Sequence, residues 1–332
     1  MRRIAAIAAS ERRAVFHNTA MKLGLSDAIV EKDFWVCWTL DHLFHESPWK
    51  DQMAFKGGTS LSKCYGLIKR FSEDIDLILD WRTLGYSLNE PWEKRSNTKQ
   101  DEYCMEMNNR TAVFLAGQFV PRLMESFQRE LGEPFSLRID AYDPQTVCFD
   151  YPKCFQTDYV LNVIRLEIGP LAAWTPAKQH TLAPYAADEY GHLFHKPSTC
   201  VLTVAAERTF WEKVTILHKE AFRVNENMPP RYSRHYYDLY CMDQANVKQS
   251  AYADLALLER VVAFKKRFYR SNAARYDLAC PGSMRLMPPQ ALMEKLESDY
   301  IQMGSMIFGD KPSFAELMQA MQRMEDEINH LS

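Results

Sequence analysis

The chain has 332 residues, of which 47% are hydrophobic and 25% are charged, and its formal net charge is −3. A chain of this size and composition can bury one large core or two smaller ones, which excludes a fibrous or a disordered protein. Its longest apolar runs are interrupted by charged residues well before the roughly 18 residues that a membrane-spanning helix needs. We therefore expect a cytoplasmic protein without membrane-spanning segments.

Eight cysteines are scattered along the chain without a CxxC pair. In a chain too large to depend on disulfides, this pattern predicts reduced, mostly buried thiols and neither a disulfide framework nor a structural zinc site. The charge is uneven, because residues 205–285 carry 14 Lys and Arg against 9 Asp and Glu, a local balance of +5. We expect the basic part and the acidic remainder to have different functions.

Capping residues and apolar spacing predict the elements of the first half of the chain. Two helices are expected over 11–23 and 27–44, with Ser10 and Ser26 as their N-caps. A short strand ends near Phe55 and is followed by a glycine turn and a short helix. Further elements are a long helix over 101–131 and strands over 74–80, 135–142, 146–151 and 158–168.

A loop over 170–197 separates these elements from a segment that is helical to its end. The predicted helices cover 205–223, 233–245, 250–270, 288–303 and 313–330. We therefore expect an α+β fold with two lobes, a mixed sheet with flanking helices over residues 1–200 and a helical domain over 201–332.

Two carboxylates open the strand over 74–80. Residues i and i+2 of a strand point to the same side, so Asp74 and Asp76, with Cα atoms about 6.6 Å apart, can hold one metal ion or bridge two. The plain alternative is a solvated strand edge.

A glycine turn precedes the acidic strand. Phe55 and Lys56 end an apolar strand, and Gly57-Gly58-Thr59-Ser60 then opens a helix. Glycines let backbone N–H groups approach an anion, and a helix N-terminus supplies unpaired donors, so this segment can cradle a phosphate. By itself it could also be an ordinary turn.

The two segments together resemble the paired signature of the AbiEii/MenT nucleotidyltransferases. The matching residues are Gly57 to Lys63 and Arg70 to Leu77, in the same order and spacing. The resemblance implies a DNA polymerase beta-like core, in which the turn holds a nucleoside triphosphate (NTP) with Ser60 and Lys63, and the two carboxylates bind magnesium. The segment Glu31 to Trp35 also resembles a run found before the glycine turn in this family; its alternative is a solvated helix face with a buried Trp.

A third metal-binding carboxylate is expected from a neighbouring strand. Glu167 is the candidate because it ends an apolar strand, with Asp140 and Asp158 as weaker alternatives. Glu167 could instead form an ion pair with Arg165, which lies two residues earlier on the same face.

Lys213 falls within the apolar arc of its helix. A buried ammonium must find an anion, reach solvent, or face a cavity, so pairing with Glu220 is one possibility. The segments containing Lys213 and Asp238 also resemble the second pair of motifs in the family, although His235 stands where an Asp is common. The resemblance implies that Lys213 contacts the triphosphate and that Asp238 fixes Lys213 or another basic residue. The plain alternative for Asp238 is a salt bridge between two helices.

The resemblance implies transfer of a nucleoside monophosphate from an NTP to an acceptor hydroxyl, with two Mg²⁺ ions, or Mn²⁺, and release of pyrophosphate. It also implies the toxin of a toxin–antitoxin or phage-abortive-infection system, with a cognate antitoxin and tRNA as acceptor. The run from Lys265 to Arg270 combines cations with aromatic rings, as RNA binding requires, or is a solvated helix face. The alternatives are a metal-dependent phosphodiesterase and a non-catalytic binding protein on the same fold.

Overall fold

The computed structural model describes residues 1–72, 74–156, 162–172, 175–224 and 227–331. The chain divides into two compact units, of which the first comprises Met1–Cys64 and Ser72–Thr203 and the second comprises Tyr65–Phe71 and Val204–Ser332. The domain boundary after residue 200 stays a prediction. It assigns residues 65–71 to the first domain, whereas the structure groups them with the second unit.

Within the described residues, one seven-stranded mixed sheet forms the first unit's centre, with strand order β3-β4-β5-β2-β1-β7-β6. The strands are β1 (Met53–Lys56), β2 (Asp74–Leu79), β3 (Ser136–Ile139), β4 (Thr146–Asp150), β5 (Ile164–Gly169), β6 (Ala177–Leu182) and β7 (Thr199–Val204). β2 pairs antiparallel with β1 and parallel with β5, and β1 pairs parallel with β7. β4 pairs antiparallel with both β3 and β5. The α+β fold with a mixed sheet is thereby confirmed.

The helices of the first unit are α1 (Arg2–Ala6), α2 (Ala9–Leu23), α3 (Asp27–His45), α4 (Gly57–Lys63), α5 (Asn97–Phe114), α6 (Val120–Glu130) and α7 (Tyr185–Tyr190). The helix predicted over 101–131 is α5 and α6 joined by a π-helical turn over Leu115–Phe119. Pro121 follows this turn and lacks the N–H that a regular helix would use, which accounts for the change of hydrogen bonding.

The helices of the second unit are α8 (Ala206–Ala221), α9 (Arg234–Asp243), α10 (Val247–Tyr252), α11 (Leu255–Phe268), α12 (Met293–Met303) and α13 (Phe314–Asn329). Ser313 caps α13 in a reciprocal capping box with Glu316. Residues 65–71 join this unit through Arg70, which pairs with Ile307 as an isolated antiparallel bridge. The predicted helix over 250–270 is two helices, α10 and α11.

Two predictions of local structure were wrong. The segment 170–197 is not a loop, because it contains β6 and α7, and β7 follows it. β6 is an edge strand with mostly polar side chains, which hides it from a search for apolar alternation. α2 begins at Ala9, so Ser10 is not its cap, whereas Ser26 caps α3 by accepting from the N–H of Ile29. Residues 158–161 of the strand predicted over 158–168 lie outside the described residues.

α3 lies in the core of the first unit, with Phe34, Trp35 and Leu40 fully buried. Trp35 and Trp38 pack edge to face with ring centroids 5.5 Å apart. The interpretation of Glu31 to Trp35 as a solvated helix face was therefore wrong. No helix of the described residues is long and apolar enough to cross a membrane.

Candidate functional site

Asp74 and Asp76 lie on β2, between its neighbours β1 and β5. Ile75 and Leu77 are at most 1% exposed, so the opposite face of the strand packs into the core. Asp74 and Asp76 therefore share the other face, as the alternation predicts, and both are partly exposed. A solvated strand edge is excluded, because β2 is an inner strand of the sheet.

Gly57 brings the backbone of the turn directly against Asp76. Lys56 stands opposite Asp76 in the β1–β2 register, and Gly57 begins α4 with φ of +81°. A Cβ atom at Gly57 would lie 1.8 Å from Asp76 Oδ2, so only glycine fits this position without displacing the carboxylate. The Thr59 hydroxyl donates to the backbone carbonyl of Asp74 at 2.5 Å and ties the turn to the acidic strand.

The hydroxyl of Ser60 has a local partner in this structure. It is fully buried and donates to the carbonyl of Gly57 at 2.8 Å. The bond closes the first turn of α4 on itself. Gly57, Thr59 and Ser60 therefore form one rigid segment beside the two carboxylates.

β5 places Glu167 opposite Asp76 and Arg165 opposite Asp74 in a parallel register. The Nε atom of Arg165 lies 3.9 Å from Asp74 Oδ1 and 3.8 Å from Glu167 Oε1. Its Nη1 atom donates to Asp140 Oδ2 at 2.7 Å. The guanidinium of Arg165 thus stands among three carboxylates, so the ion pair foreseen for Glu167 exists and includes Asp74.

Asp140 makes the shortest contact with Arg165 among the three carboxylates, and backbone hydrogen bonds hold its carboxylate in place. Its carboxylate accepts from the backbone N–H groups of Tyr142 and Asp143. The N–H of Tyr142 and then the hydrogen bond from Arg165 lower the pKa of Asp140 to about 2. Asp158, the other alternative third acid, lies outside the described residues.

The oxygen donors of Asp74, Asp76 and Glu167 are of the type that Mg²⁺ prefers, and the strand register sets two of them side by side. Among the residues that the structure describes, no group of three His, Cys, Asp or Glu side chains is arranged closely enough to hold a metal ion. The donor chemistry fits Mg²⁺, with Arg165 between two of the acids.

Lys63, at the end of α4, is bound by a carboxylate from α3. Its Nζ atom lies 2.6 Å from Asp33 Oδ1 and 4.0 Å from the centre of the Tyr185 ring. The Tyr185 N–H donates to Asp33 Oδ2 at 2.7 Å. Burial acts to lower the pKa of Lys63, but the attraction of Asp33 outweighs it and the pKa is raised. The segment Glu31 to Trp35 therefore contributes the counterion of Lys63, which its sequence did not reveal.

Lys213 and Asp238 belong to the second unit, where they form a buried ion pair. Lys213 Nζ lies 2.7 Å from Asp238 Oδ2, and Asp238 is fully buried. Arg70 binds the same carboxylate through two hydrogen bonds of 2.7 and 2.8 Å. Glu220 pairs with Arg223 instead, so the suggested Lys213–Glu220 pair is wrong. Sequence analysis did not single out Arg70, although it begins the motif that ends at Leu77.

Burial and charge act in opposite directions on this pair. Burial would raise the pKa of Asp238, but Arg70 and Lys213 lower it far below its ordinary value. Burial lowers the pKa of Lys213, while Asp238 counteracts this effect. The two cations therefore keep the Asp238 carboxylate ionised at neutral pH.

The chain was also compared with known proteins. The family model described as "Nucleotidyl transferase AbiEii toxin, Type IV TA system" matches residues 38–322. The comparison with curated proteins gave no match. Solved structures similar to this chain include MenT4, a nucleotidyltransferase toxin from Mycobacterium tuberculosis H37Rv, at 15% identity and a TM-score of 0.43. The match covers 96% of this chain and 97% of MenT4, but it is too distant to bear on function. Because the family model spans most of the sequence, the chain belongs to the AbiEii nucleotidyltransferase toxin family of type IV toxin–antitoxin systems.

Proposed function

We propose that this nucleotidyltransferase toxin transfers a nucleoside monophosphate from an NTP to a hydroxyl of an RNA acceptor, with tRNA as the first candidate and pyrophosphate as the second product. Membership of the family supports nucleotidyl transfer and, with it, an NTP substrate and a cognate antitoxin. The RNA acceptor is supported by the balance of +5 over residues 205–285.

The contact between Gly57 and Asp76 is the observation that carries this proposal. Backbone N–H groups at the start of α4 favour an anion, yet the Asp76 carboxylate lies where a side chain at Gly57 would be. A phosphate beside a carboxylate is repelled unless a cation lies between them. The geometry therefore fits an NTP that binds together with a divalent metal.

Asp74, Asp76 and Glu167 would hold Mg²⁺, with Mn²⁺ as a substitute. When bound, the metal would lower the pKa of the attacking hydroxyl and neutralise the charge of the leaving pyrophosphate. Thr59 keeps the glycine turn against β2 through its bond to Asp74, so the turn and the carboxylates keep a fixed spacing.

The basic side chains have different relations to the substrate. Lys63 stays a predicted phosphate ligand together with Gly58 and Ser60, but Asp33 already balances its charge. Lys213 and Asp238 stay predicted catalytic residues, with Lys213 as the phosphate ligand and Asp238 as the group that fixes Lys213 and Arg70. A phosphate that binds Lys213 would have to share its ammonium with Asp238.

A metal-dependent phosphodiesterase is the alternative, since the same carboxylates could serve hydrolysis. Such an enzyme has no need of a glycine turn packed against a carboxylate, which disfavours it. A non-catalytic binding protein on this fold is disfavoured by the ionised Asp238 with its two cations, because buried charges are costly to keep without a role.

The direct test is incubation of the protein with each α-³²P-labelled NTP, Mg²⁺ and total RNA, followed by denaturing electrophoresis. We expect label from one or more NTPs in the RNA, and none with Asp76→Ala. Labelled RNA from the Asp76→Ala protein would refute the site. Loss of RNA length without incorporation of label would instead support the phosphodiesterase.

A further inference from the structure

Two arginines of the second unit lie against the same aromatic ring. The Cζ atoms of Arg275 and Arg285 are 5.6 and 5.1 Å from the centre of the Phe222 ring. Phe222 is the C-cap residue of α8. At these distances both guanidinium groups gain from the electron-rich face of the ring, which limits where each can move.

A buried histidine fixes the backbone of both arginines. His218 is fully buried, and its Nε2 atom lies 2.9 Å from the carbonyl of Arg275. The N–H of Arg285 donates to His218 Nδ1 at 3.1 Å. Since Nδ1 accepts this bond, Nε2 carries the proton, and the ring is neutral. Burial lowers the pKa of His218 and favours the same neutral form.

Arg275 adopts a backbone conformation that a side chain disfavours. Its φ is 44°, in the left-handed region that residues other than glycine rarely occupy. Such a conformation costs free energy and persists only where neighbouring contacts impose it, and it is concentrated at functional positions. The bond from His218 to the Arg275 carbonyl is such a contact.

The charge around the ring is positive and accessible. Arg275 pairs with Asp277 at 3.2 Å, but their side chains are 47% and 62% exposed, so the pair is weak in water and can exchange. Arg285 is exposed and has no carboxylate partner among the described residues of the chain. Lys219 is also exposed, one turn before Phe222 on α8.

We propose that Arg275, Arg285 and Phe222 form a binding surface for single-stranded RNA on the second unit, through which the acceptor is held. The planar guanidinium groups suit the paired oxygens of phosphodiesters, and guanidinium planes and aromatic rings stack on unpaired bases. His218 is the positioning residue that presents both arginines. The inference rests on the proposed function in taking RNA as the acceptor, and it adds where that acceptor binds.

The test is binding of a fluorescently labelled 20-nucleotide single-stranded RNA, and of deacylated tRNA, to the full chain without NTP. The double variant Arg275→Ala/Arg285→Ala should raise the Kd at least tenfold. It should also reduce the slope of log Kd against log salt by about 1.4, because each phosphate contact to a single strand contributes about 0.7. Arg275→Lys/Arg285→Lys should recover the salt slope but only part of the affinity, because lysine keeps the charge and loses the planar stacking.

The matched control is Arg260→Ala/Arg323→Ala, which removes two other arginines of the same unit that pair with Asp254 and Asp243. It changes the net charge equally, and we expect its Kd within threefold of wild type. Equal losses in the two double variants would show unspecific attraction and overturn the proposal. Unchanged RNA binding in Arg275→Ala/Arg285→Ala would also overturn it and leave an acidic protein as the partner of this surface. NTP binding, measured separately, should be unaffected in all variants, so failure here is distinct from failure of the proposed function.

Discussion

Gly57 is the residue at which a single added methyl group has the clearest consequence. In Gly57→Ala the Cβ atom collides with the Asp76 carboxylate, so we expect the turn to shift and transfer to fall by about two orders of magnitude. The left-handed φ should also cost about 1–2 kcal/mol. Label incorporation and melting temperature report the two effects separately.

Gly24→Ala is the control for this substitution. Gly24 has φ of +65°, and nothing lies within 4 Å of its added Cβ, so the variant has the same backbone strain without the collision. It should lose similar stability and keep its activity. Comparable loss of transfer in the two variants would attribute the effect of Gly57→Ala to folding alone.

Arg165 weakens metal binding at the proposed site, because it places a positive charge between two of the ligands. Its distances of 3.8–3.9 Å to Glu167 and Asp74 mean that a divalent cation at these carboxylates is repelled by the guanidinium. Arg165→Met should therefore lower the melting temperature of the metal-free protein and tighten Mn²⁺ binding at least fivefold. Calorimetric titration without nucleotide measures the affinity directly.

Arg138→Met provides the comparison, since Arg138 is on β3 and its carboxylate contact is with Asp150. Its Mn²⁺ affinity should stay at the wild-type value. Weaker Mn²⁺ binding in Arg165→Met would mean that Arg165 supports the arrangement of the acids and does not compete with the metal.

At the scale of elements, α8 and α9 carry one ion pair whose two members should contribute unequally to stability. Lys213→Ala leaves the Asp238 carboxylate with both hydrogen bonds from Arg70, so we expect a loss of about 1–2 kcal/mol. Asp238→Asn leaves Arg70 and Lys213 buried without their counterion and should cost about 3–5 kcal/mol. Denaturant midpoints and melting temperatures of the NTP-free proteins give the order.

The same variants distinguish a structural from a catalytic lysine. A purely structural Lys213 predicts that Lys213→Ala loses stability and keeps its NTP affinity. A phosphate ligand predicts weaker NTP binding as well, beyond what the small loss of stability accounts for. Unchanged NTP affinity in Lys213→Ala would therefore remove Lys213 from the proposed site.

The sequence predicts best those elements that are determined by residues close together in the chain. The alternation over 74–80 predicts β2 and the common face of Asp74 and Asp76, and Ser26 predicts the start of α3. β6 was missed because it is a polar edge strand, and β7 because the domain boundary predicted at residue 200 falls within it. Periodicity reports burial within one segment and cannot report which strand lies beside it.

The partners of charged residues were the least predictable part of the candidate site. Lys63 and Asp33 are 30 positions apart in the chain, and Arg70 and Asp238 are 168 apart. Spacing in sequence indicates only partners within a helical turn or along a strand, such as Arg165 and Glu167. The suggested pairing of Lys213 with Glu220 was wrong for this reason, whereas the pairing of Lys213 with Asp238, which the family resemblance implied, is present in the structure.

At the scale of the whole molecule, family membership and charge distribution address different parts of the reaction. The family match covers residues of both units and supports transfer from an NTP, while the basic character of 205–285 supports a polyanionic acceptor. The first unit contains the carboxylates and the glycine turn, and the second contains Lys213 and the surface around Phe222. We therefore propose that Asp76→Ala disables NTP binding and that Arg275→Ala/Arg285→Ala disables RNA binding, each without the other.

The response of the whole chain to its substrate provides the last prediction. Asp74, Asp76 and Glu167 share one face of the sheet, and a triphosphate adds further negative charge there. In Mg²⁺ an NTP should therefore raise the melting temperature by several degrees, since a ligand at 100 times its Kd stabilises the folded protein by about 2.7 kcal/mol. In EDTA the melting temperature should hardly change, because the carboxylates then repel the triphosphate. Asp76→Ala should abolish the shift in Mg²⁺, whereas Gly24→Ala should keep it. A shift of equal size in EDTA would mean that the NTP binds through Lys63, Lys213 or other cations without a metal, and the carboxylates would then need another explanation.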